Sequence, residues 1–468
     1  MKRKALVVLA LAVVCVFAAQ GVARACTTII VGRDLTADHS VLISHNEDDG
    51  GTVVLHWLSV PRQPGTDYQL FSGGSVAEPK MTLAYIGAQV WDKSYIPGDF
   101  IGGVNQYQVA IYNNSTPSNG ENPDDPYALQ PGGVMWTEFN LMATLRAHTA
   151  REAVQIMGNL AQAHMLSGDP GTSFGVADAH EGWWIDISRG GQWAAQRVPD
   201  NKAQMIANSF RIGAIDFKDH RDFMWSPDLV SYAKSQGWYD AASHAPFNFS
   251  QVYGLASSLV NPYNTVRETM VQQYLDAARP IRPATLMGIM RSHFEGSPYD
   301  LSNNYAVSPN HTSVRTVCTA RTQVSEVTQL RSWLPADIGA VVWQTMRAPD
   351  CSAYVPWYLG VTSMPTPYTV GSDTVQDGSA WWAFYNLDTY IDNNYAATIY
   401  KARAAWQPLQ ARELAMQPAF ERIALAVYRH NPRAGRALLT AYSGSLGMQA
   451  YRQAQALLQQ MEASAAKN

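Results

Sequence analysis

Cysteine is scarce, with 4 residues in a chain of 468, and no CxxC, HxxxH or ExxH spacing offers a metal-ligand cluster, so no metal is expected. Also missing are a GxSxG elbow, a Walker loop and a GxGxxG turn after a strand, which removes the serine-hydrolase, nucleotide and dinucleotide signatures; no cofactor is implied. Charge is thin at 15% of residues, and Lys plus Arg of 34 against Asp plus Glu of 38 leaves a net charge of -4 with no basic block. A nucleic-acid partner would lack its electrostatic footprint. Long apolar runs are absent too: the longest, Ala5 to Ala19, is about 15 residues, short of the roughly 20 that span a bilayer, so stable membrane insertion is not expected. No repeat or low-complexity linker divides the chain, and 47% hydrophobic residues exclude disorder and fibrous folds.

What is present begins with a leader. Lys2, Arg3 and Lys4 precede the apolar run, and Ala23-Arg24-Ala25 closes it, the three parts of a secretory signal. Cleavage after Ala25 would place the protein in a secreted or periplasmic compartment and make Cys26 the new terminus. Arg24 sits where lipoprotein processing wants a small residue, which disfavours lipidation. Cys15 leaves with the leader, so Cys26, Cys318 and Cys351 remain, an odd number in an oxidising compartment. Cys318 and Cys351 are expected to pair as a disulfide, leaving Cys26 free. A terminal cysteine joins a thiol of pKa about 8.5 to an α-amine of about 7.7–8.0, so the amine can take the thiol proton without a separate histidine.

Short β-rich runs at 27–31, 41–45, 53–60, 83–91 and 104–113 open the mature chain. Residues 115 to 132, rich in Pro, Asn, Asp and Gly, form a long loop and a candidate lid, whose Glu121, Asp124 and Asp125 suit an ammonium. Helices are predicted from Thr137 and from the Thr149–Glu152 capping box, then strands at 173–179, 183–187, 193–198 and 203–208. Helices at 227–236, 266–278 and 284–294 follow, then strands at 314–323, 327–330 and 339–347, and a helical tail from Leu387. Segregated strand and helix blocks predict an α+β layered sandwich rather than a doubly wound sheet. The expected organisation is a leader over 1–25, one domain over 26–386 and a helical extension over 387–468 packed on it.

Cys26-Thr27-Thr28-Ile29-Ile30-Val31-Gly32 and His45-Asn46-Glu47-Asp48 resemble the start of a family C69 dipeptidase, an N-terminal nucleophile hydrolase related to penicillin V acylases and bile salt hydrolases. Gly103 to Tyr107, Ala110 to Asn113, Ala207 to Gly213, Arg315 to Cys318 and Tyr354 to Tyr358 extend the resemblance over most of the mature chain. It implies a four-layer αββα sandwich with Cys26 as nucleophile and Asp48 beside its amine. It further implies Asn113 as an oxyanion donor with Asn114 as competitor, Asn208 as a second polar site residue, and Arg315 as the positively charged residue that supports the nucleophile, with Arg321 as rival. His45 stands where related enzymes mostly carry arginine; either another arginine supplies that charge or the pH response differs. His45 and Asn114 are the candidate substrate-binding residues. The implied partner is a dipeptide or short peptide, with an N-acyl substrate as alternative; oligomeric state stays open, a homo-oligomer included.

Overall fold

The computed structural model describes residues 26–91, 99–120, 124–243 and 245–466. The first strands are β1 (Thr27–Val31), β2 (Val41–Asp48), β3 (Leu55–Val60), the small ribbon β4 (Tyr68–Gln69) and β5 (Ser75–Val76), β6 (Tyr85–Val90), β7 (Phe100–Asn105) and β8 (Ala110–Ser115). Then come β9 (Gly171–Ala177), β10 (Gly182–Ser188), β11 (Trp193–Val198), β12 (Ala203–Ile206) and β13 (Phe223–Trp225). Finally there are β14 (Thr322–Leu330), β15 (Val341–Met346) and β16 (Val355–Tyr358). Six of them form one antiparallel sheet in the order β12-β1-β2-β14-β15-β16, and eight form a second in the order β13-β11-β10-β9-β8-β7-β6-β3.

β1 explains the layering. Every residue of Thr27–Val31 is buried, so both faces of the strand must be covered. Ile30 and, from β2, Ile43 enter the core between the sheets, whereas Ile29, Val31 and Leu42 pack with Met270, Val271, Met287 and Met290 of the helices outside. The period-two alternation of a strand thus feeds two cores. The sheets approach closely where glycine removes a side chain: a Cβ on Gly175 would stand 2.8 Å from Thr28, and one on Gly182 would stand 2.5 Å from Ile30. Helices Trp136–Thr144 and Ala150–His164 cover the eight-stranded sheet, and Pro262–Ala277 and Pro283–Met290 cover the six-stranded one. The result is the expected αββα sandwich.

Several local expectations shift. The run 104–113 is not one strand but the hairpin β7–β8, because Asn105 Oδ1 accepts from the main-chain N–H groups of Tyr107 and Val109 and folds a turn there. Residues 314–321 carry no strand; β14 begins at Thr322 and runs unbroken through the gap expected between 323 and 327. β13 and β16 carry too few alternating residues to have stood out. The C-terminal helices begin at Ala380, upstream of Leu387, and continue as Tyr395–His430 and Pro432–Ala465.

Those helices are bolted to the sheet by charge. At the end of β14, Arg331 makes two 2.7 Å bonds to Glu421, which also accepts the Tyr358 hydroxyl at 3.1 Å. No helix among the described residues is long and apolar enough to cross a membrane. Glu421→Ala should cost about 3 kcal/mol by leaving the Arg331 guanidinium buried without its carboxylate; urea unfolding followed by circular dichroism reads that loss.

Candidate active site

Cys26 lies at the mouth of β1, and its side chain is 1% exposed. Antiparallel pairing of Thr27 with Asn46 sets the end of β2 beside it, and the alternation of β2 then divides the polar residues between two sides. His45 and Glu47 point between the sheets, as Ile43 does. Asn46 and Asp48 point to the helical side, where Asn46 Nδ2 donates to the carbonyls of Met290 and Val317.

On the inner side, the Cys26 thiol donates to Glu47 Oε1 at 3.5 Å, and Glu47 Oε2 lies 2.9 Å from His45 Nε2. His45 Nδ1 meets the Thr28 hydroxyl at 2.8 Å, and that hydroxyl donates to Asn114 Oδ1 at 2.5 Å. The His45 ring stacks on Tyr112, with centroids 5.2 Å apart. Burial, reinforced by Glu47 and Asp48, holds the Cys26 thiol well above its usual pKa, against a hydrogen bond from the Asp48 main chain. Burial also raises Glu47. Glu326, opposite His45 across the β2–β14 ladder, is pushed up to about 8 by burial and then by Glu47.

On the outer side, Asp48 accepts from Arg315 Nη2 and from the Thr322 hydroxyl, each at 2.5 Å. A register shift between Thr322 and Val324 brings Thr322 opposite Asp48. Arg315 also donates to its neighbour's carbonyl at Thr316. Arg321, the rival, is exposed; its carbonyl holds the Asp49 N–H.

The three asparagines divide. Asn208 donates to Ser115 O at 2.9 Å, and Asn114 donates to the carbonyls of Ala207 and Ile206 at 2.9 and 3.3 Å, so the two knit the ends of β8 and β12 together. Asn113 takes the opposite face of β8 from Asn114, and its Oδ1 has no hydrogen-bond partner among the described residues. Of the candidate lid, Ser118 pairs with Gly254 and Arg189 holds the carbonyl of Ala128, while Asp124 and Asp125 are exposed. Glu121 lies outside the described residues.

Arg267, Glu47, Glu326 and Thr28 had no assigned role in the sequence reading. Arg267, on helix Pro262–Ala277, is fully buried and donates to Cys26 O at 2.9 Å, Thr27 Oγ1 at 3.2 Å, Asn208 Oδ1 at 2.6 Å and Asn264 Oδ1 at 3.1 Å. Burial, then the neighbouring Arg315, lowers its pKa to about 9. Arg267 arrives from a helix some 240 residues away, which no local motif signals, and it engages the Cys26 carbonyl rather than the inner side where His45 bonds Glu47.

Cys318 and Cys351 are free thiols, which corrects the expected disulfide. The Cys318 sulfur turns instead to Asp350 Oδ1 at 3.3 Å, while Asp350 Oδ2 receives Tyr395 at 2.7 Å and His293 at 3.1 Å. Although burial opposes it, the His293 bond and charge hold the Asp350 carboxyl well below its usual range. Among the described residues, Cys26, His45 and Glu47, and separately His293, Cys318 and Asp350, bring donor atoms within 4.8 Å of one another.

Arg267→Met should destabilise the fold by about 3 kcal/mol, because several buried acceptors lose their donor at once; thermal melts compared with steady-state turnover would separate the loss of stability from the loss of activity. Glu326 binds its proton more tightly folded than unfolded, so stability falls as pH rises from the unfolded value of 4.5 towards 8. Glu326→Gln should flatten that slope in urea titrations at stepped pH.

The model of peptidase family C69 matches residues 25–408. A probable dipeptidase of Salmonella dublin is 28% identical over 364 residues, covering 72% of this chain and 81% of that protein. A dipeptidase of Bifidobacterium longum (strain NCC 2705) is 25% identical over 426 residues, covering 80% of this chain and 78% of that one. Among solved structures, a conjugated bile acid hydrolase from Clostridium perfringens aligns at 11% identity with a TM-score of 0.31, over 69% of this chain and 89% of that one. With the family model spanning both sheets and the Cys26 strand, the chain belongs to peptidase family C69.

Proposed function

We propose that the mature protein is a secreted cysteine dipeptidase whose nucleophile is the thiol of Cys26 and whose general base is the α-amine of the same residue. The observation that carries this reading is the grip on Cys26: its carbonyl is held by Arg267 while its thiol lies against Glu47, so the residue that carries both reacting groups is fixed at its main chain and at its side chain. Its support is the family match, which opens at residue 25, and the relatives named as dipeptidases.

While residue 26 is joined to Ala25, its nitrogen is an amide and cannot take a proton. Cleavage after Ala25 frees an amine that can. The amine removes the thiol proton, sulfur bonds to the scissile carbonyl carbon, and the C–N bond breaks as the ammonium returns a proton to the leaving amine. Water then attacks the thioester, passes a proton to the amine and on to sulfur, and the C–S bond breaks. Asp48, held by Arg315 and Thr322, serves to orient the amine, and Asn208 keeps Arg267 on the Cys26 carbonyl.

Cys26→Ala should fold and export normally yet lose turnover, and N-terminal sequencing of active exported protein should begin at Cys26. Unblocked dipeptides should be cleaved far faster than the same peptides N-acetylated or lengthened. Full activity in a product retaining residues before Cys26, or preference for N-acyl substrates, would overturn the reading.

A further inference from the structure

The hydrogen bonds on the inner side of the site determine where its protons lie. Asn114 Nδ2 donates to two carbonyls, so its Oδ1 is the acceptor and the Thr28 hydroxyl must donate to it. That hydroxyl has no second hydrogen to give, so its bond to His45 comes from Nδ1–H. With a hydrogen fixed on Nδ1, the contact between His45 Nε2 and Glu47 Oε2 holds one proton between two bases.

Glu326 adds a second carboxyl on the same face, opposite His45 in the ladder. It is fully buried, and neither of its oxygens has a hydrogen-bond partner among the described residues, although the Tyr112 phenol is nearby. Of these two buried carboxyls only Glu47 is bonded to the imidazole, and among the described residues the one further hydrogen reaching Glu47 is the weakly polar thiol hydrogen of Cys26. Arg315 is turned to Asp48 on the other face and Arg267 to the Cys26 carbonyl. Fully ionised, the inner face carries the carboxylates of Glu47 and Glu326 against one imidazole, and it is Glu47 Oε1 that lies against the Cys26 sulfur.

A peptide with a free terminus carries a cation close to its reacting carbonyl. Its ammonium sits on the carbon bonded to the scissile carbonyl, and in a near-attack geometry that carbonyl carbon lies about 3–3.5 Å from sulfur. A carboxylate oxygen 3.5 Å from the same sulfur is within reach of the ammonium. Resting on the dipeptidase reading above, we infer that Glu47 is the carboxylate that binds the substrate's terminal ammonium, with Oε1 exchanging the thiol hydrogen for the ammonium. His45 and Thr28 hold Glu47 in place. Substrate arrival would also favour the thiolate, since the ammonium offsets the carboxylate that opposes thiol ionisation. Selection for aminoacyl over N-acyl substrates then resides in Glu47 rather than in a surface loop.

The test uses mature protein with two ligands differing only in the ammonium, alanyl-alanine and N-propionyl-alanine. Binding is measured calorimetrically on Cys26→Ala and on the same protein carrying Glu47→Gln, and turnover is measured with Cys26 intact. Alanyl-alanine affinity and kcat/KM should fall about 100-fold on Glu47→Gln, the scale of removing one partner of a buried charge pair, while N-propionyl-alanine changes by less than about 3-fold. Glu47→Asp should recover part of the preference, and a matched melting temperature would show that folding is intact. An unchanged ratio between the two ligands would overturn the inference, as would equal losses on both, which would assign Glu47 to the Cys26 amine. Binding that follows this pattern without turnover by the intact protein would sink the dipeptidase reading and leave the ammonium site standing.

Discussion

The buried guanidinium of Arg267 is the contact on which the site depends. It joins the start of β1 to Asn208, beyond the end of β12, and to Asn264 on its own helix. Three segments remote in sequence are thereby held at one point, and the point is Cys26. Such a charge is costly to bury unless its donors are satisfied, and at least five oxygen partners, the Tyr263 carbonyl among them, offset that cost. A residue at the end of a chain loses more freedom on ordering than one within a strand, so a terminal nucleophile needs a clamp that an internal one does not.

The second constraint is the alternation of β2. One strand sends His45 and Glu47 inward and Asn46 and Asp48 outward, and Cys26 stands where the two sets meet. The outward acid is paired with Arg315 and Thr322. The inward acids are not matched by fixed positive charge, and burial keeps them protonated more readily than acids in water. Two carboxylates adjacent in sequence therefore suit different work, one structural and orienting, the other able to receive a cation.

Much of the scaffold was legible because strand patterns are local. The runs at 27–31, 173–179, 183–187, 193–198 and 203–208 declared themselves through β-branched and aromatic residues, and the alternation of strand and helix blocks pointed to layers. The hairpin at 105–109 was hidden because its turn is made by an Asn side chain rather than by glycine or proline. The Cys318–Cys351 pairing failed for a reason that chain separation cannot reveal: a carboxylate between them in space, Asp350, engages the Cys318 sulfur.

The sequence by itself determined the layered class and the short motif in which Cys26, His45 and Asp48 were singled out, since these rest on periodicity and on neighbours along the chain. Only the tertiary structure decided that Arg267 enters the site, that Asn114 and Asn208 spend their amide hydrogens tying strands together, and that Glu47 rather than Asp48 touches the thiol. Each of those depends on direction as well as position. Which of two adjacent acids faces a sulfur is decided by the pleat of the strand and the register of its partners, and hydrogen-bond donors are assigned only when every competing acceptor is in place.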